Sequence, residues 1–340
     1  MVLGGVLGAA LLVAAAARAG APVIEAAPMA AEPSAITVPP ALRARVPALE
    51  MSGLAWAPSI DRYLVVVDDA IDLDEHERHA PFVLALGRDG VLDVEPVLIA
   101  GVDEVDDAEA IAAGPGNSFY LLTSHSPNKK GKVAKARRQL LELVLDGRQL
   151  KVKYALDLLH GKGDVANLLE KLGFPADSAV DLEGLAFHDG ALYVGLKSPL
   201  LADDSAAILR LDRPGEVFAR GKLAKGDLTL WGQVKLAVPV VGSPAAGSPP
   251  VPQGIADLFF APGGALVLCA NSPKGRAKDG GGALWRIAKP GGGHMEANLV
   301  RQFSRLKPEG VTVAPGGGAL TVVFDRDRRD PLWLRWPLKP

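Results

Sequence analysis

Apolar residues recur along this chain in repeated sets of short strands, and the first strand of each set opens with a similar phrase. The phrase joins a polar residue to a small residue and an apolar run, and its five copies are Ser52-Gly53-Leu54-Ala55-Trp56, Glu109-Ala110-Ile111-Ala112, Glu183-Gly184-Leu185-Ala186-Phe187, Gln253-Gly254-Ile255-Ala256 and Glu309-Gly310-Val311-Thr312. After a turn rich in Gly, Pro or Asp, a second apolar strand is predicted at 63–67, 119–123, 192–196, 266–270 and 320–324. Repeats of roughly 40–60 residues built from short strands are typical of β-propeller blades.

Further strands complete each repeat. Third strands, several with apolar–polar alternation, are predicted at 82–86, 140–145, 207–211, 283–287 and 332–336. Fourth strands are predicted at 94–99, 152–158, 228–238 and 299–303. The last repeat has no such strand, and we expect residues 42–49 to supply it, which would close the ring and remove open edges. The prediction is a single all-β propeller with five blades; six remain open, because residues 212–252 are long enough to hold degenerate strands.

The remaining segments predict the domain boundaries. Residues 1–21 are apolar or small and end near Ala17-Arg18-Ala19, which indicates a signal peptide or N-terminal anchor, although no Lys or Arg precedes the apolar run. Residues 22–36 are an Ala/Pro-rich linker, and the propeller occupies 37–340. A short helix is expected from the Asp164 N-cap to Gly173, and residues 241–252 form a loop. The expected location is periplasmic or secreted.

Composition narrows the function classes. The 340 residues are 49% hydrophobic, enough for a packed core, and the net charge of −2 gives no overall field for nucleic acid or a membrane surface. The single cysteine, Cys269, excludes an intramolecular disulfide and is expected to be a buried apolar residue. The composition does not predict an oligomeric state.

The repeat predicts where polar side chains converge. The first two strands of a blade are antiparallel, so the start of one and the end of the next lie at the same end of the blade. The strand starts supply Ser52, Glu109, Glu183, Gln253 and Glu309, with Asp107 and Asp181 two residues upstream. The strand ends supply Asp68, His125, Lys197, Asn271 and Asp325. We expect these groups to surround one end of the central channel.

Several carboxylates around one axis repel each other unless a cation offsets them. Calcium prefers oxygen ligands from carboxylates and amide carbonyls, so a calcium site is predicted from Glu109, Glu183, Glu309, Asp68, Asp325 and Asn271. His125, Lys197 and Glu183 are the candidate catalytic groups, for proton transfer or anion stabilisation. The alternative is structural: carboxylates at strand starts accept hydrogen bonds from turn amides, and Lys197 forms a salt bridge to a ring carboxylate.

Charged loops follow the second strands on the same face. Residues 128–138 and 274–278 are basic, and residues 72–79 are acidic and include His76 and His79. Basic loops above a carboxylate ring suit a small anionic or phosphorylated ligand; solvated loops that maintain solubility are the alternative. A transition-metal site at His76 and His79 is the less favoured interpretation. The sequence shows no phosphate-binding Gly loop, nucleophile elbow or paired-cysteine zinc pattern.

These motifs resemble an uncharacterised bacterial β-propeller family, the domain-of-unknown-function family numbered 3616. The matching stretches lie within residues 48–338 and are Asp107-Ala108-Glu109-Ala110 with Ser124-His125-Ser126, Asp181 to Ala186 with Gly195-Leu196-Lys197, Gly254 to Leu258, and Pro308-Glu309-Gly310-Val311 with Phe324-Asp325. Lys197 and Ala256 depart from the family pattern, in which arginine is expected. More distantly, the Glu-Gly-Leu-Ala phrase is similar to that of phytase-like and esterase-like propellers. That resemblance implies calcium-assisted hydrolysis of a phosphate ester or related ester.

The sequence therefore predicts an exported propeller with a polar, calcium-binding ligand site on one face. Two versions of its function stay open. One is a metal-dependent hydrolase, and the other is a propeller that binds a small molecule or protein partner without turnover.

Overall fold

The computed structural model describes residues 31–337, apart from 75, 176, 241–248, 274–280, 314–315, 317 and 327–328. The predicted signal peptide or anchor, most of the linker, the loop at 241–248 and the basic loop at 274–278 lie outside the described residues. No helix in the described part is long and apolar enough to cross a membrane.

The described residues fold into short strands with three short α-helices and one turn of 3-10 helix, Lys135–Arg137. The helices are α1 (Pro40–Arg45), α2 (Val165–Lys171) and α3 (Pro214–Arg220). The strands before residue 160 are β1 (Ser34–Ala35), β2 (Met51–Ala57), β3 (Arg62–Val67), β4 (Ile71–Asp72), β5 (Glu77–Arg78), β6 (Phe82–Leu86), β7 (Val97–Ala100), β8 (Ala108–Ala113), β9 (Ser118–Thr123), β10 (Leu140–Asp146) and β11 (Gln149–Leu156). The later strands are β12 (Asp181–His188), β13 (Ala191–Ser198), β14 (Ala206–Asp212), β15 (Leu228–Val234), β16 (Ala237–Val238), β17 (Val251–Pro252), β18 (Gly254–Phe260), β19 (Leu266–Asn271), β20 (Gly282–Ile287), β21 (Gly293–Met295), β22 (Asn298–Phe303), β23 (Lys307–Val313), β24 (Ala319–Asp325) and β25 (Leu332–Pro337).

These strands form the blades of a propeller. From the inside outwards, the five four-stranded blades of the described chain are β2-β3-β6-β7, β8-β9-β10-β11, β12-β13-β14-β15, β18-β19-β20-β22 and β23-β24-β25-β1. The innermost strands contact one another in the closed order β2, β8, β12, β18, β23 and back to β2. The sequence prediction of a five-bladed all-β propeller is confirmed, and the described part of 212–252 forms α3, β15, β16 and β17 rather than a sixth blade.

The ring is closed by an N-terminal strand, but not by the predicted one. Ser34–Ala35 pairs antiparallel with Trp333 and Leu332 of β25 and completes the fifth blade. The predicted strand at 42–49 was wrong, because Pro40–Arg45 forms helix α1 with a proline at its start. Leu42 and Val46 are fully buried there, between the first and fifth blades. The last residues of the predicted linker thus belong to the propeller.

The apolar core is divided among the interfaces between blades. Phe119 and Leu121 of β9 pack against the first blade, whereas Tyr120 and Leu122 of the same strand pack against the third. Both faces of a second strand are therefore buried, which explains why these strands are continuous apolar runs rather than alternating ones. Burial of each large apolar side chain contributes about 1.5–3 kcal/mol. Cys269 is buried in the same way, as predicted.

Glycine in the repeated phrase allows neighbouring inner strands to approach closely. A Cβ added to Gly53 would lie 2.6 Å from Cα of Ala110 in the next blade, and one added to Gly310 would lie 2.4 Å from the Ser52 carbonyl oxygen. Separations below 3.0 Å are too short for a real Cβ. Glycine at positions 53 and 310 is thus required for packing around the narrow ring.

The predicted insertion helix is also present. In α2, the Asp164 side chain accepts a hydrogen bond from the Asn167 backbone N–H at 2.9 Å, as an N-cap residue does. The helix is followed by Gly173, whose φ of 89° lies in the left-handed region that glycine adopts readily.

Candidate functional site: a carboxylate cluster at one end of the channel

Irregularities in the inner strands place three glutamates at equivalent positions. The pairing of the first two strands shifts register at Glu109, Glu183 and Glu309, each flanked by regularly paired residues. A β-bulge of this kind leaves one residue outside the regular ladder and changes the direction of its side chain. The three glutamates of the repeated phrase therefore lie at β-bulges near the strand starts. Bulges are over-represented next to active sites.

Two groups of three carboxylates come together at this end of the channel. The first triad is Asp68, Asp107 and Glu109, and the second triad is Glu109, Asp181 and Glu183. Within each triad one ligand oxygen per residue lies within 4.8 Å of the others, and Glu109 belongs to both. Asp107 and Asp181 lie two residues before the bulged glutamates, where the sequence placed them. We call the five residues together with Glu309 the axial cluster.

Lys197 is the cation of the second triad. Its Nζ lies 2.6 Å from Oε2 of Glu183 and 3.7 Å from Oε1 of Glu309. Although burial opposes a charged ammonium, the surrounding carboxylates of Glu183, Glu309, Asp181 and Glu109 raise the pKa of Lys197 well above its usual value. Lys197 is therefore a permanent positive charge at neutral pH, as its predicted salt bridge requires.

Arg137 is the cation of the first triad, and the sequence analysis did not single it out. Its guanidinium binds the Asp107 carboxylate through Nη2 and lies 3.1 Å from Oδ1 of Asp106 through Nη1. Its Nε donates to the Ser126 carbonyl oxygen at 3.0 Å. The hydroxyls of Ser124 and Ser126 donate to the same Asp107 oxygen. Arg137 is one of several basic residues in its loop, and the sequence carries no signal that distinguishes it for this role.

Acid groups outnumber bases in the axial cluster. Among the described residues, two cations, Arg137 and Lys197, face six carboxylates: Asp68, Asp107, Glu109, Asp181, Glu183 and Glu309. Burial, a hydrogen bond to Asp107 and the neighbouring charges raise the pKa of Asp68 well above its ordinary 3.8. Burial and four neighbouring carboxylates raise the pKa of Glu109 well above its ordinary 4.5. The cluster is therefore held together partly by protons, which a divalent cation can replace.

Glu109 is the group with the least support. Its carboxylate forms no hydrogen bond with any side chain or backbone group of the described residues, although the residue is only 8% exposed. A buried carboxylate without a donor is costly unless a cation or proton accompanies it. Its position, shared by both triads, makes Glu109 the first residue to consider as a ligand.

His125 does not join the cluster. Its Nδ1 donates to the Thr123 carbonyl oxygen at 2.7 Å, and its Nε2 accepts from the Leu158 backbone N–H at 3.3 Å. Complete burial lowers the pKa of His125 to about 4. Ser124, one residue earlier, occupies the strand-end position, since its backbone N–H bonds to the Asp107 carbonyl oxygen. The predicted proton-transfer role is corrected, because a one-residue shift puts the imidazole on the other side of the chain.

Other predicted ligands have partners of their own. Asp325 bonds to Lys307 Nζ at 2.7 Å, and Asn271 donates through Nδ2 to the Pro308 carbonyl oxygen at 3.0 Å. Gln253 bonds to the Gly281 carbonyl oxygen and to the Trp285 indole at 3.1 and 3.2 Å. Ser52 is buried at the start of β2. The structure thus brings Asp68, Glu109, Glu183 and Glu309 together, with Lys197, and leaves Asp325 and Asn271 outside both triads.

The described loops on this face have varied surroundings. The acidic loop is tied to α1, since Asp72 bonds to Arg45 at 2.8 Å. Nδ1 of His79 lies 3.2 Å from Asp106, whereas His76 is exposed; neither is in a triad. Lys129, Lys130 and Lys132 of the first basic loop are exposed, as solvated loop residues would be.

A further buried carboxylate lies deeper in the ring. Oδ1 of Asp257 accepts from the Leu258 N–H at 2.8 Å and the Leu185 N–H at 3.5 Å, and Oδ2 accepts from the Val311 N–H at 2.8 Å. These donors belong to the third, fourth and fifth blades. Burial raises the pKa of Asp257 well above its usual range, while the backbone N–H groups lower it. Asp257 connects inner strands, and its place in the apolar stretch Gly-Ile-Ala-Asp was the available sequence signal.

The channel is apolar beyond this point. A small cavity of about 60 Å³ is lined by strand ends of all five blades, among them Ala55, Ala112, Phe187, Phe260 and Thr312. The side chains that line this cavity are apolar apart from Thr312, in contrast with the carboxylates where the inner strands begin.

Comparisons with known proteins leave the family open. No family model and no curated protein matches the sequence. Similar solved structures include an exo-β-1,3-galactanase from Phanerochaete chrysosporium, 10% identical, which aligns over 84% of this chain and 59% of its own, with a TM-score of 0.44. A GH43 β-1,3-galactosidase bound to galactodeoxynojirimycin is 11% identical over 85% of this chain and 90% of its own, with a TM-score of 0.45.

A third similar structure is Pseudomonas fluorescens PhoX in complex with vanadate. It is 13% identical over 75% of this chain and 57% of its own, with a TM-score of 0.41. The chain thus spans less than two thirds of the galactanase and of PhoX. At these identities and TM-scores, no property of these proteins is transferred to this chain.

Proposed function

We propose that this chain is an exported propeller whose axial cluster binds one calcium ion and, through it, a small anionic ligand. The observation that carries the proposal is the first triad, in which Asp107 and Glu109 are buried and Asp68 is half-buried, the pKa values of Asp68 and Glu109 are raised, and Glu109 has no donor among the described residues. A divalent cation there would replace shared protons and relieve the repulsion among the carboxylates. The ligands would be Asp68, Asp107 and Glu109.

The donor set fits calcium better than zinc or copper. All ligand atoms of both triads are carboxylate oxygens, with no histidine or cysteine among them. Calcium takes six to eight oxygens and tolerates irregular geometry, so water and the ligand itself would complete its shell. Zinc and copper favour nitrogen or sulfur donors. Export, which the N-terminal sequence predicts, would expose the site to an environment where weak calcium affinity is sufficient.

A calcium titration followed by thermal unfolding and calorimetry tests the proposal. The folded protein should gain about 2.7 kcal/mol at a calcium concentration one hundred times the dissociation constant, because the ion binds only the folded state. The Glu109→Gln variant should lose this gain. Asp189→Asn, at a carboxylate whose side chain is 84% exposed, is the matched control and should keep it. Absence of a shift with calcium, manganese and magnesium would reject the metal site.

Anion binding is tested in the same protein. Inorganic phosphate should raise the melting temperature further when calcium is present and have little effect when it is absent. If phosphate raises the melting temperature equally with and without calcium, the anion does not bind through the calcium ion. Cell fractionation, with N-terminal sequencing of the mature protein, tests export.

Ester hydrolysis is the second candidate, and Glu109 is the observation that favours it. A carboxyl group with a raised pKa and no hydrogen-bond partner is suited to carry a proton during catalysis. Lys197, held as a cation beside Glu183, would stabilise negative charge on the substrate. Turnover of a generic phosphate or carboxylic ester, lost in Glu109→Gln and Glu183→Gln while both variants remain folded, would support it. If the protein binds calcium but hydrolyses none of a broad panel of esters, hydrolysis is rejected and only the binding function remains.

A further inference from the structure

The two triads differ in how much positive charge they already contain. In the second triad the Lys197 ammonium lies between carboxylates of different blades, 2.6 Å from Glu183 and 3.7 Å from Glu309. In the first triad Arg137 contacts Asp107 alone, and Asp68 is stabilised by a hydrogen bond to Asp107 instead of by a cation. The Lys197 ammonium thus links two carboxylates of the axial cluster, whereas the Arg137 guanidinium binds one.

We propose that the Lys197 ammonium is a built-in cation that occupies the second of two adjacent cation positions, so that the axial cluster accepts a single divalent ion, in the first triad. The inference rests on the proposed calcium site, and it adds the reason why only one ion binds there. Lys197 would then be a specificity-determining residue, because it decides how many ions share the Glu109 carboxylate.

The backbone of Lys197 is fixed within its blade, which limits where its ammonium can lie. Lys197 lies within β13, not in a loop, and is 14% exposed in its side chain. The inner strand of the next blade lies directly against it, since a Cβ on Gly254 would be 2.0 Å from the Lys197 carbonyl oxygen. The ring therefore fixes the backbone of Lys197, and the contacts with Glu183 and Glu309 place its ammonium.

The charge count is compatible with one ion. Among the described residues, six carboxyl groups face Lys197 and Arg137, and one divalent ion would raise the positive charges from two to four; protons retained by the cluster, in which the pKa values of Asp68 and Glu109 are raised, would offset the remainder. Without the ammonium, the second triad would contain only carboxylates within 4.8 Å of one another. Like the first triad, it would then offer three carboxylates to an ion, and a second calcium ion would replace the lost charge.

Native mass spectrometry and calorimetry with calcium chloride test this inference in the full-length protein. The wild type should bind one calcium ion, and Lys197→Met should bind two. Lys197→Arg, which keeps the charge, should bind one. Lys307→Met is the matched control, because it removes a lysine from the pair with Asp325 at the same end of the blade, and it should also bind one.

The outcomes separate this inference from the proposed function. A wild type that binds no calcium rejects the proposed function. A wild type with one ion and a Lys197→Met variant with one ion leave the calcium site standing and overturn the role of Lys197, as does a wild type with two ions. Lys197→Met that folds only with calcium, and then binds two ions, supports the inference. Failure of this variant to fold at any calcium concentration, while Lys197→Arg folds, overturns it.

Discussion

Two regions of the channel bury carboxylates, and they differ in what stabilises them. Asp257, in the middle of the ring, accepts hydrogen bonds from the backbone of three blades. Glu109, in the axial cluster, is surrounded by four other carboxylates and has no donor among the described residues. Burial raises the pKa of both groups. A raised pKa alone therefore does not distinguish a structural acid from a functional one; the hydrogen-bond donors do.

The difference follows from strand geometry. The register shift in the fourth blade lies at Ala256, next to Asp257, whereas in the second, third and fifth blades it lies at the glutamate of the repeated phrase. The fourth blade begins instead with Gln253, whose amide is bound within its own blade. In the fourth blade the register shift thus lies next to an aspartate that connects inner strands. In the second, third and fifth blades it lies at a glutamate of the axial cluster.

Replacement of Asp257 should have the largest effect. Asp257→Ala leaves three backbone N–H groups without an acceptor, and each buried unsatisfied donor costs about 1–3 kcal/mol. We expect the free energy of unfolding to fall by about 3–5 kcal/mol, measured by urea denaturation. The loss should be the same with and without calcium. A loss below about 1 kcal/mol would show that Asp257 does not connect the blades.

Two amide substitutions should change stability in opposite directions. Asp257→Asn replaces an acceptor oxygen with a donor and should cost about 1–2 kcal/mol. Glu109→Gln removes a carboxyl group that accepts no hydrogen bond from the described residues and is repelled by its neighbours, and it should stabilise the calcium-free protein by about 1 kcal/mol at neutral pH. Urea denaturation in the presence of a calcium chelator measures both. Loss of stability in Glu109→Gln would mean that the glutamate is satisfied in the folded protein, and the contrast with Asp257 would fail.

How much of this arrangement follows from the sequence depends on the range of the interactions. Second strands such as 63–67 and 320–324 were predicted within two residues, because apolar runs bounded by turns are local signals. The closing strand Ser34–Ala35 was not, since two residues without an apolar run become a strand only by pairing with β25, almost 300 positions later. Leu42 and Val46 gave a strand-like signal, but they belong to α1 and the extended chain after it.

The site residues also divide into those that the repeat predicts and those that depend on contacts between distant positions. Glu109, Glu183, Lys197 and Asp68 were predicted to converge because the repeat places equivalent positions on one ring, and the structure brings them together. Arg137 was missed because it reaches Asp107 from a loop, 30 positions away, through a contact that periodicity does not encode. His125 was assigned to the ring through an error of one residue at the end of β9, where a φ of 58° turns the chain.

The pH dependence of stability gives a smaller effect. Glu109 holds its proton more tightly when folded than when unfolded, so stability present below its ordinary pKa of 4.5 is lost as the pH rises through the folded value. The lowered pKa of His125 acts in the opposite sense: stability is lost as the pH falls from 6.5 towards about 4. Comparison with Glu109→Gln cancels the histidine contribution, because both proteins contain it.

We therefore expect the melting temperature of calcium-free Glu109→Gln to exceed that of the wild type by a margin that grows with pH. The difference in melting temperature should grow by about 1–2 °C per pH unit. The growth is gradual because the neighbouring carboxylates titrate together with Glu109. Scanning calorimetry from pH 5 to pH 8 measures it. A margin that stays constant with pH would show that Glu109 is ionised throughout this range.

The smallest effect should come from Asp325, which marks the boundary of the axial cluster. Its carboxylate is paired with Lys307, whose side chain is 49% exposed, and exposed ion pairs contribute about 0–1 kcal/mol. Asp325→Asn should therefore lower the free energy of unfolding by less than about 1 kcal/mol and leave calcium affinity within about threefold of the wild type, as measured by calorimetry. Because Asp325 was predicted as a ligand from the same repeat that predicted Glu109, a large loss of calcium affinity in this variant would extend the site across the fifth blade. An unchanged affinity would confine it to the first triad, where an unsupported carboxylate, and not repeat position alone, identifies a ligand.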